Sequence, residues 1–283
     1  MLESFILAVE QLPVWFKLIL AVTMISGSIL IEVWRPALAL NYKTWWSHAR
    51  VNLTLLLFTM LITGFSGIAL VGVTQWGSEA QSGLLRAVEL PLWLELLIAI
   101  MALDLMAQYV SHLALHKVRP LWRVHTIHHS DTRVDATTGT RHHPFDIIFR
   151  EIIALGTIVV LGIPLGAYAL YRLLTLPFTY LIHANIALPP AVDAVINKVF
   201  VTPNMHKYHH HFELPWTDSN YGGMFSIWDR MFGTYTEDDA GKIRYGLNIF
   251  EGNDTDSVGY LLTVPFDQNM KRDSDMKAQV YRS

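Results

Sequence analysis

Long apolar segments constrain the fold of this chain more than any other feature of its sequence. Residues 12–30, 51–73 and 92–113 are each close to the ~20 mostly apolar residues that a helix needs to cross a bilayer. Charged residues make up only 16% of the chain, whereas about a quarter is usual in a soluble domain. Because a lipid-exposed backbone must satisfy its polar groups internally, these segments are expected to be helical. The sequence therefore predicts an all-α integral membrane protein.

Two further apolar segments, 147–160 and 167–188, are separated by a short stretch that contains Gly162, Pro164 and Gly166. Gly and Pro interrupt helices, so this stretch predicts a tight turn and a helical hairpin. We expect about four spanning helices, the last two forming that hairpin. The expected organisation is 1–91 as N-terminal membrane helices, 92–236 as a histidine-rich region with membrane helices, and 237–283 as a polar tail. A solvated or loosely ordered end is indicated by Lys271, Arg272, Asp273 and Asp275.

Basic residues indicate the orientation of the helices in the membrane. They flank the first connection and follow the third apolar segment: Arg35, Lys43, Arg50, Lys117, Arg119, Arg123, Arg133 and Arg141. The positive-inside rule then places the first connection and residues 117–144 on the cytoplasmic side. In a bacterium this would be the inner membrane. The hairpin leaves this face and returns to it, which brings His206 to the same side as His112.

Composition excludes several kinds of site. The chain has no cysteine, which excludes disulfides, thiolate metal ligands, iron–sulfur clusters and cysteine nucleophiles. Its net charge of −3 gives no reason to expect a nucleic-acid partner. The oligomeric state is not indicated by any sequence feature.

Histidine is the residue type that points to chemistry. Eleven of the 13 histidines fall within residues 112–143 and 206–211, where the pattern H-x-x-H-H occurs twice and H-x-x-x-H once. The histidines of these patterns are His112 and His116, then His125, His128 and His129, then His206, His209 and His210. Neutral imidazole is a common ligand of zinc, iron, copper and nickel. We therefore predict these eight residues to be metal ligands and the catalytic set.

Helix geometry indicates how these ligands are used. Residues three or four apart share a helix face, so His112 and His116 are expected to reach one ion, as are the first and second histidines of H-x-x-H-H. Adjacent histidines diverge and suit two neighbouring ions. Eight ligands exceed what a single metal takes, so two metals are predicted. His143 and His183 are further candidate ligands. His142 is expected at the surface and His48 at the membrane interface. His211 is expected in solvent or beside the ligands.

No acidic residue lies within the histidine patterns, so a first coordination sphere of neutral imidazole is expected. Carboxylates that orient ligating histidines are common, and the candidates near the patterns are Asp104, Asp131, Asp146, Asp218 and Asp229. Of these, Asp104 is expected near the helix face of His112. Candidate residues for lining a substrate cavity are Phe145, Phe149, Phe178 and Phe212.

The ordered patterns resemble the integral-membrane fatty acid hydroxylase and sterol desaturase superfamily over about residues 95–236. The family's three histidine boxes correspond to the eight residues above, and its His-Pro segment is similar to His143-Pro144. His183 stands where the family has an additional histidine, and the stretches 220–222 and 228–235 are similar to its closing motif. The resemblance implies two iron ions, for which zinc can substitute on purification, and the use of O₂ to hydroxylate or desaturate a lipid C–H bond. A membrane lipid substrate and a separate electron donor are implied with it.

Three other classes of protein are compatible with a histidine cluster. A histidine-ligated zinc hydrolase acting on a membrane lipid is the main alternative, but such sites usually add a Glu base, which the boxes lack. A metal transporter would place ionisable residues along its spans. A bis-histidine haem carrier would place paired histidines within facing spans. The clustering at one end of the helices favours the oxygenase interpretation.

Overall fold

The computed structural model describes residues 1–39, 45–80, 82–212, 216–237, 243–250, 255–268 and 270. The N-terminal half of this part consists of α1 (Leu2–Glu10), α2 (Val14–Trp34), α3 (Trp45–Glu79), α4 (Leu92–Leu103), a π-helical segment (Asp104–Val110) and α5 (Ser111–Lys117). It continues with α6 (Arg119–His129), α7 (Pro144–Leu161), α8 (Leu165–Leu181), α9 (Pro190–Ile196), α10 (Pro203–His209), α11 (Ile227–Met231) and α12 (Val258–Thr263). Two isolated bridges, but no β-strand, occur in these residues, which confirms the predicted all-α fold.

Three helical segments in the described part of the chain are long and apolar enough to cross a membrane: Trp15–Trp34, Trp45–Gly77 and Leu92–Lys117. They coincide with the first three predicted spans. The second is longer than predicted, and the third continues without interruption through the π-helical segment into α5. Helices α7 and α8 form the predicted hairpin but, at 18 and 17 residues, are not among these candidate spans.

The hairpin turn and the end of α8 follow from local contacts. Gly162 terminates α7 with a φ of 71°, and its N–H donates to the carbonyl of Ile158. A left-handed residue of this kind is a common helix terminator, and glycine adopts it without steric cost. Helix α8 ends at Leu181, earlier than the predicted 188. Beyond it the chain turns so that Asn185 can pair through its main chain with Ala37 and through its side chain with Leu38.

The apolar core lies between the long helices. Helix α3 packs along α7, while α1 and α2 pack along α8. Buried side chains from α4, α7 and α8 form the largest cluster, among them Leu103, Ile158 and Tyr171. This arrangement leaves the C-terminal ends of α5, α6 and α10 together at one end of the bundle.

Part of the predicted polar tail belongs to the packed structure. Leu247, Phe250 and Leu261 are buried in a cluster with Leu55 of α3 and Trp122 of α6. The polar composition of this segment concealed its few apolar side chains, which cover the outer side of α6. The four tail residues predicted to be loosely ordered lie outside the described residues.

Candidate metal centre

Nine buried histidines from four parts of the chain come together as two adjoining groups. The five-histidine group contains His112, His116, His125, His129 and His209, and the four-histidine group contains His128, His183, His206 and His210. In each group the potential ligand atoms lie within 4.8 Å of one another. All eight residues predicted as ligands and catalytic groups are present, together with the predicted additional ligand His183.

Helical spacing explains how the two H-x-x-H-H patterns are divided. His125 and His129 of α6 share the five-histidine group, whereas His128 belongs to the other. The adjacent rings of His128 and His129 are perpendicular, at 89°, with centroids 5.4 Å apart. Adjacent histidines thus serve different groups, as expected, but the first histidine pairs with the third rather than the second. A step of four residues rotates the side chain by only about 40°, against about 60° for three.

Main-chain carbonyls hold several of these imidazoles in one tautomer. Nδ1 of His112 lies 2.9 Å from the carbonyl of Tyr221, Nδ1 of His209 lies 2.8 Å from that of Ser219, and Nδ1 of His183 lies 2.8 Å from that of Thr179. A carbonyl oxygen only accepts hydrogen bonds, so Nδ1 carries the proton in each case. Each Nε2 therefore presents a lone pair to the interior of its group.

Lone pairs face each other at short range in both groups. Nε2 of His112 lies 3.0 Å from Nε2 of His125, and Nε2 of His128 lies 3.2 Å from Nε2 of His183. In each of these imidazoles Nδ1 is the atom that donates, so no proton remains to join the two Nε2 atoms. A cation between them removes the repulsion. With metal–nitrogen bonds of about 2.0–2.1 Å, neighbouring ligand atoms stand about 3 Å apart, which agrees with these distances.

Ring nitrogens without a hydrogen-bond partner also indicate that cations bind between these histidines. Among the described residues, both ring nitrogens of His129, Nε2 of His209 and Nδ1 of His210 are buried without a hydrogen-bond partner. A buried polar atom of this kind is costly unless something binds it. The donor set, nine imidazole rings in two groups, fits two transition-metal ions.

Burial also keeps the clustered histidines unprotonated. It lowers the pKa of His125 and of His209 to about 3, although Asp146 opposes the shift at His125. The pKa values of His128, His129 and His206 are held well below the ordinary value by burial, with neighbouring imidazoles adding to the effect. Neutral imidazole is the form that binds metals, so these rings need not lose a proton before binding at neutral pH.

Two of the five candidate carboxylates contact histidines of the five-histidine group. Nδ1 of His125 donates to Asp146 at 2.6 Å, and Nδ1 of His116 lies 3.4 Å from Asp218. The structure does not place Asp104 beside His112 as predicted. Asp104 instead accepts from the indole N–H of Trp228 at 2.8 Å.

The remaining two carboxylates support the surrounding loops. Asp229 accepts from the main-chain N–H groups of Tyr221 and Gly222 and so shapes the segment beside His112. Asp131 accepts from the hydroxyl of Thr138 at 2.6 Å and lies 3.5 Å from His48.

Three histidines occupy places that differ from their predictions. His143, a candidate ligand, lies outside both groups: it caps α7, with Nδ1 accepting from the N–H of Phe145. His48, expected at the membrane interface, is 1% exposed and lies against buried carboxylates. His142, expected at the surface, is partly buried and stacks on His128 at 4.5 Å. Each of these contacts joins residues that are distant in the sequence or depends on a loop conformation. The spacing of the histidines therefore could not predict them.

His211 agrees with its expected place beside the ligands. It is buried and outside both groups, and its Nδ1 accepts from the main-chain N–H of Arg244.

Tyr221 is a residue of the site that the histidine patterns do not indicate. Its ring lies 5.1 Å from that of His116 and 5.7 Å from that of His112, and its buried hydroxyl has no hydrogen-bond partner among the described residues. Its only sequence indication is its position in the stretch 220–222.

A cavity of about 190 Å³ extends from the two groups into the helices. His112, His128, His183 and His206 form one part of its wall, and Ile147, Ala154 and Ile182 form an apolar part. Of the four phenylalanines predicted to line a substrate cavity, Phe178 does so. Phe145 packs against Phe266 instead, and Phe212 lies beneath the guanidinium of Arg244.

Comparison with known proteins connects this site to a family. Residues 96–234 match the family model for fatty acid hydroxylases. The ornithine lipid hydroxylase of Rhizobium tropici is 33% identical over 129 residues, covering 45% of this chain and 38% of that protein. The alkylglycerol monooxygenase of Caenorhabditis elegans is 32% identical over 129 residues, covering 45% of this chain and 24% of that protein. The human alkylglycerol monooxygenase is 32% identical over 153 residues, covering 50% of this chain and 32% of that protein.

The chain thus spans less than two fifths of the length of these relatives. No solved structure matches the chain significantly. The matched region contains all nine clustered histidines and Tyr221. Over this region the chain matches the fatty acid hydroxylase family, which confirms its resemblance to the fatty acid hydroxylase and sterol desaturase superfamily.

Proposed function

We propose that this chain is a membrane-bound non-haem di-iron oxidoreductase that uses O₂ to hydroxylate or desaturate a C–H bond of a lipid. The observation that carries the proposal is the pair of adjoining histidine groups, each with inward-facing Nε2 lone pairs and unpartnered ring nitrogens. The relatives named above are lipid hydroxylases and monooxygenases, which supports the same class of reaction.

When bound, two iron ions would supply the reduction of dioxygen and the oxidation of the C–H bond. The five-histidine group would hold one ion and the four-histidine group the other, with zinc able to replace iron on purification. Carbonyls and carboxylates at Nδ1 fix the ring orientations in advance, so metal binding requires little rearrangement. Electrons would come from a separate electron-transfer protein or reductant.

The cavity supports a lipid substrate. Its apolar wall, with Ile147, Ala154 and Phe178, suits an alkyl chain and excludes water near the metals. Because the cavity ends on ligands from both groups, a carbon at that end would lie close to both ions. The regiochemistry would then depend on how the rest of the lipid is held. We further propose that the histidine boxes face the cytoplasm, as the distribution of basic residues predicts.

The alternative, a histidine-ligated zinc hydrolase, has less support from the geometry. A hydrolytic zinc site needs a general base free to accept a proton from metal-bound water. The two carboxylates nearest the ligands, Asp146 and Asp218, are both occupied by histidine and by Arg150 or Lys117. Moreover, a group of five imidazoles exceeds the usual three protein ligands of catalytic zinc.

The proposal is tested by metal content and spectroscopy of detergent-purified protein from iron-supplemented cells. We expect about two irons per chain by plasma mass spectrometry, and a coupled diferric signal in the Mössbauer spectrum of an iron-57 sample. Incubation of the reduced protein with membrane lipids under ¹⁸O₂ should yield labelled or dehydrogenated lipid.

Single substitutions assign the ions to the two groups. His209→Ala should remove the ion of the five-histidine group and His128→Ala that of the other, both with loss of activity. The matched control is His211→Gln, at a buried histidine outside both groups, which should retain both ions. Full occupancy in the first two variants would contradict the ligand assignment. Protein from iron-supplemented cells that retains zinc and consumes no oxygen after reduction would instead favour the zinc hydrolase.

A further inference from the structure

An ion pair with one buried member lies in the hairpin at a distance from the histidine groups. Nη1 of Arg172 on α8 lies 3.1 Å from Oε1 of Glu151 on α7, and the Glu151 side chain is only 9% exposed. The guanidinium also lies 5.9 Å from the ring centroid of Tyr168. Ionic groups within such apolar helices are costly, and those that occur there usually face a functional cavity.

Both members of the pair line the cavity that ends on the histidine groups. The side chain of Arg172 exposes 45% of its surface and lines the cavity, so a ligand there can contact it. Gln108 and Thr175 lie in the same wall and add uncharged polar groups. Arg172 is nine residues before the end of α8, which puts it about 14 Å along the helix axis from that end. The side chain of Arg172 is therefore separated from His183, which follows α8, by a distance on the order of 10 Å.

The charges in this cavity balance. Three charged residues line it, and each has a partner of opposite sign: Arg172 pairs with Glu151, and Arg150 pairs with Asp146 at 2.7 Å. A carboxylate or an ammonium group that entered would be repelled by one member of the Glu151–Arg172 pair while attracted by the other. An uncharged group with a donor and an acceptor can donate to Glu151 and accept from Arg172 without displacing either.

We propose that Glu151 and Arg172 bind an uncharged polar group, such as a hydroxyl or amide, of the lipid substrate and thereby select neutral polar lipids over fatty acids and alkylamines. This inference rests on the proposed function only in treating the cavity as the substrate site. Because the polar group is held away from the metals, the pair also determines which carbon of the chain reaches them.

Ligand binding tests this selectivity without turnover. The zinc-loaded, detergent-purified protein is incubated with radiolabelled hexadecanol, hexadecanoate or hexadecylamine, which share one chain length and differ in the charge of the polar group. We expect the wild-type protein to bind hexadecanol about tenfold more tightly than either charged ligand, as is typical when one buried group loses its partner.

Removal of one charge should change this preference in a predictable direction. Glu151→Gln leaves Arg172 unpaired and should make hexadecanoate the preferred ligand, whereas Arg172→Gln leaves Glu151 unpaired and should favour hexadecylamine. The double variant restores neutrality and should favour neither charged ligand. Glu79→Gln, at an exposed end of α3, removes a charge elsewhere and should leave the ranking unchanged. A pair that only joins α7 to α8 would not invert the preference in opposite directions.

Two results would overturn the inference: a wild-type protein that binds hexadecanoate or hexadecylamine best, or an unchanged ranking in both single variants. The wild-type ranking tests it even where a variant does not fold. Metal content, measured on the same samples, separates the two proposals. A correct ranking in protein that holds fewer than two zinc ions contradicts only the two-metal part of the proposed function, whereas two ions with a wrong ranking contradict only this inference.

Discussion

At the scale of single residues, the partner of each Nδ1 determines what an imidazole contributes. Carbonyl partners orient the rings of His112 and His209 without adding charge, whereas the partner of His125 is the carboxylate of Asp146. Asp146 is itself held by Arg150, and these two contacts hold its pKa well below the ordinary value despite burial. It therefore stays ionised and makes His125 a stronger electron donor than His112 and His209.

Asp146→Asn keeps the shape of this side chain and removes its charge. We expect metal affinity of the five-histidine group to fall by about 10–100-fold, the usual effect of losing an orienting carboxylate. Competition with a chelator, followed by mass spectrometry of the retained metal, measures the change. Asp193→Asn is the control, because Asp193 on α9 is a buried carboxylate that accepts from the side chain of Asn197, away from the histidines. Equal retention in both variants would contradict the assigned role.

At the scale of elements, the π-helical segment Asp104–Val110 and the turn around Gly139 position histidines of the two groups. The histidine patterns do not indicate either feature. The wider turn of a π-helix rotates α5 relative to α4, which explains why Asp104 faces Trp228 rather than His112. Gly139 lies against the C-terminal end of α8. A Cβ there would stand 2.2 Å from the carbonyl of Thr179 and 3.2 Å from Nδ1 of His183.

Gly139→Ala should therefore displace α8 at Thr179, whose carbonyl accepts from Nδ1 of His183. We expect the four-histidine group to lose its metal while the five-histidine group keeps its own, so metal content should fall from about two ions to about one. Gly156→Ala on α7 is the matched control, since no atom lies within 4 Å of its added methyl group. That exchange should keep both ions and stabilise the helix by about 0.5–1 kcal/mol. Two retained ions in Gly139→Ala would show that α8 tolerates the added methyl.

At the scale of the whole molecule, a buried polar network joins the membrane helices to the loop after α6. The fully buried guanidinium of Arg141 donates to Oδ1 of Asn52 at 2.9 Å and to the carbonyl of Ile127 at 3.1 Å. The main-chain carbonyl of Arg141 in turn accepts from His128. The N-terminal helices, which lie outside the matched region, thus help to hold His128 of the four-histidine group in place.

Asn52→Ala should destabilise the protein because it leaves one N–H of Arg141 buried without its partner. The expected loss is about 1–3 kcal/mol in the free energy of unfolding, seen as a lower unfolding midpoint in detergent. Thr54→Ala on the same helix removes only a local hydroxyl contact with the carbonyl of Arg50 and should change the midpoint little. Similar midpoints for the two variants would contradict a supporting role for the network.

Acid should destabilise the metal-free protein. The pKa of His125 and of His209 is about 3 when folded, against about 6.5 when unfolded, so only the unfolded chain takes up protons between these values. Stability is therefore complete above about pH 6.5 and decreases as the pH falls toward 3. Unfolding midpoints of metal-stripped protein at pH 7.5, 6.5 and 5.5 measure the decrease. Added zinc should raise the unfolding midpoint at all three pH values. A midpoint of the metal-stripped protein that does not change with pH would contradict the lowered pKa values of His125 and His209.

Local features of the sequence determined the fold class and most of the histidines that form the two groups. Apolar segments near 20 residues and the 3.6-residue repeat act within one helix, so the three long spans, the hairpin and the eight histidines of the boxes could be predicted. Tertiary structure decided which histidines share a group, that His143 caps a helix, that His48 is buried, and that Glu151 meets Arg172 in the cavity. These outcomes depend on contacts between residues distant in sequence, and spacing along the chain carries no information about which helix faces meet.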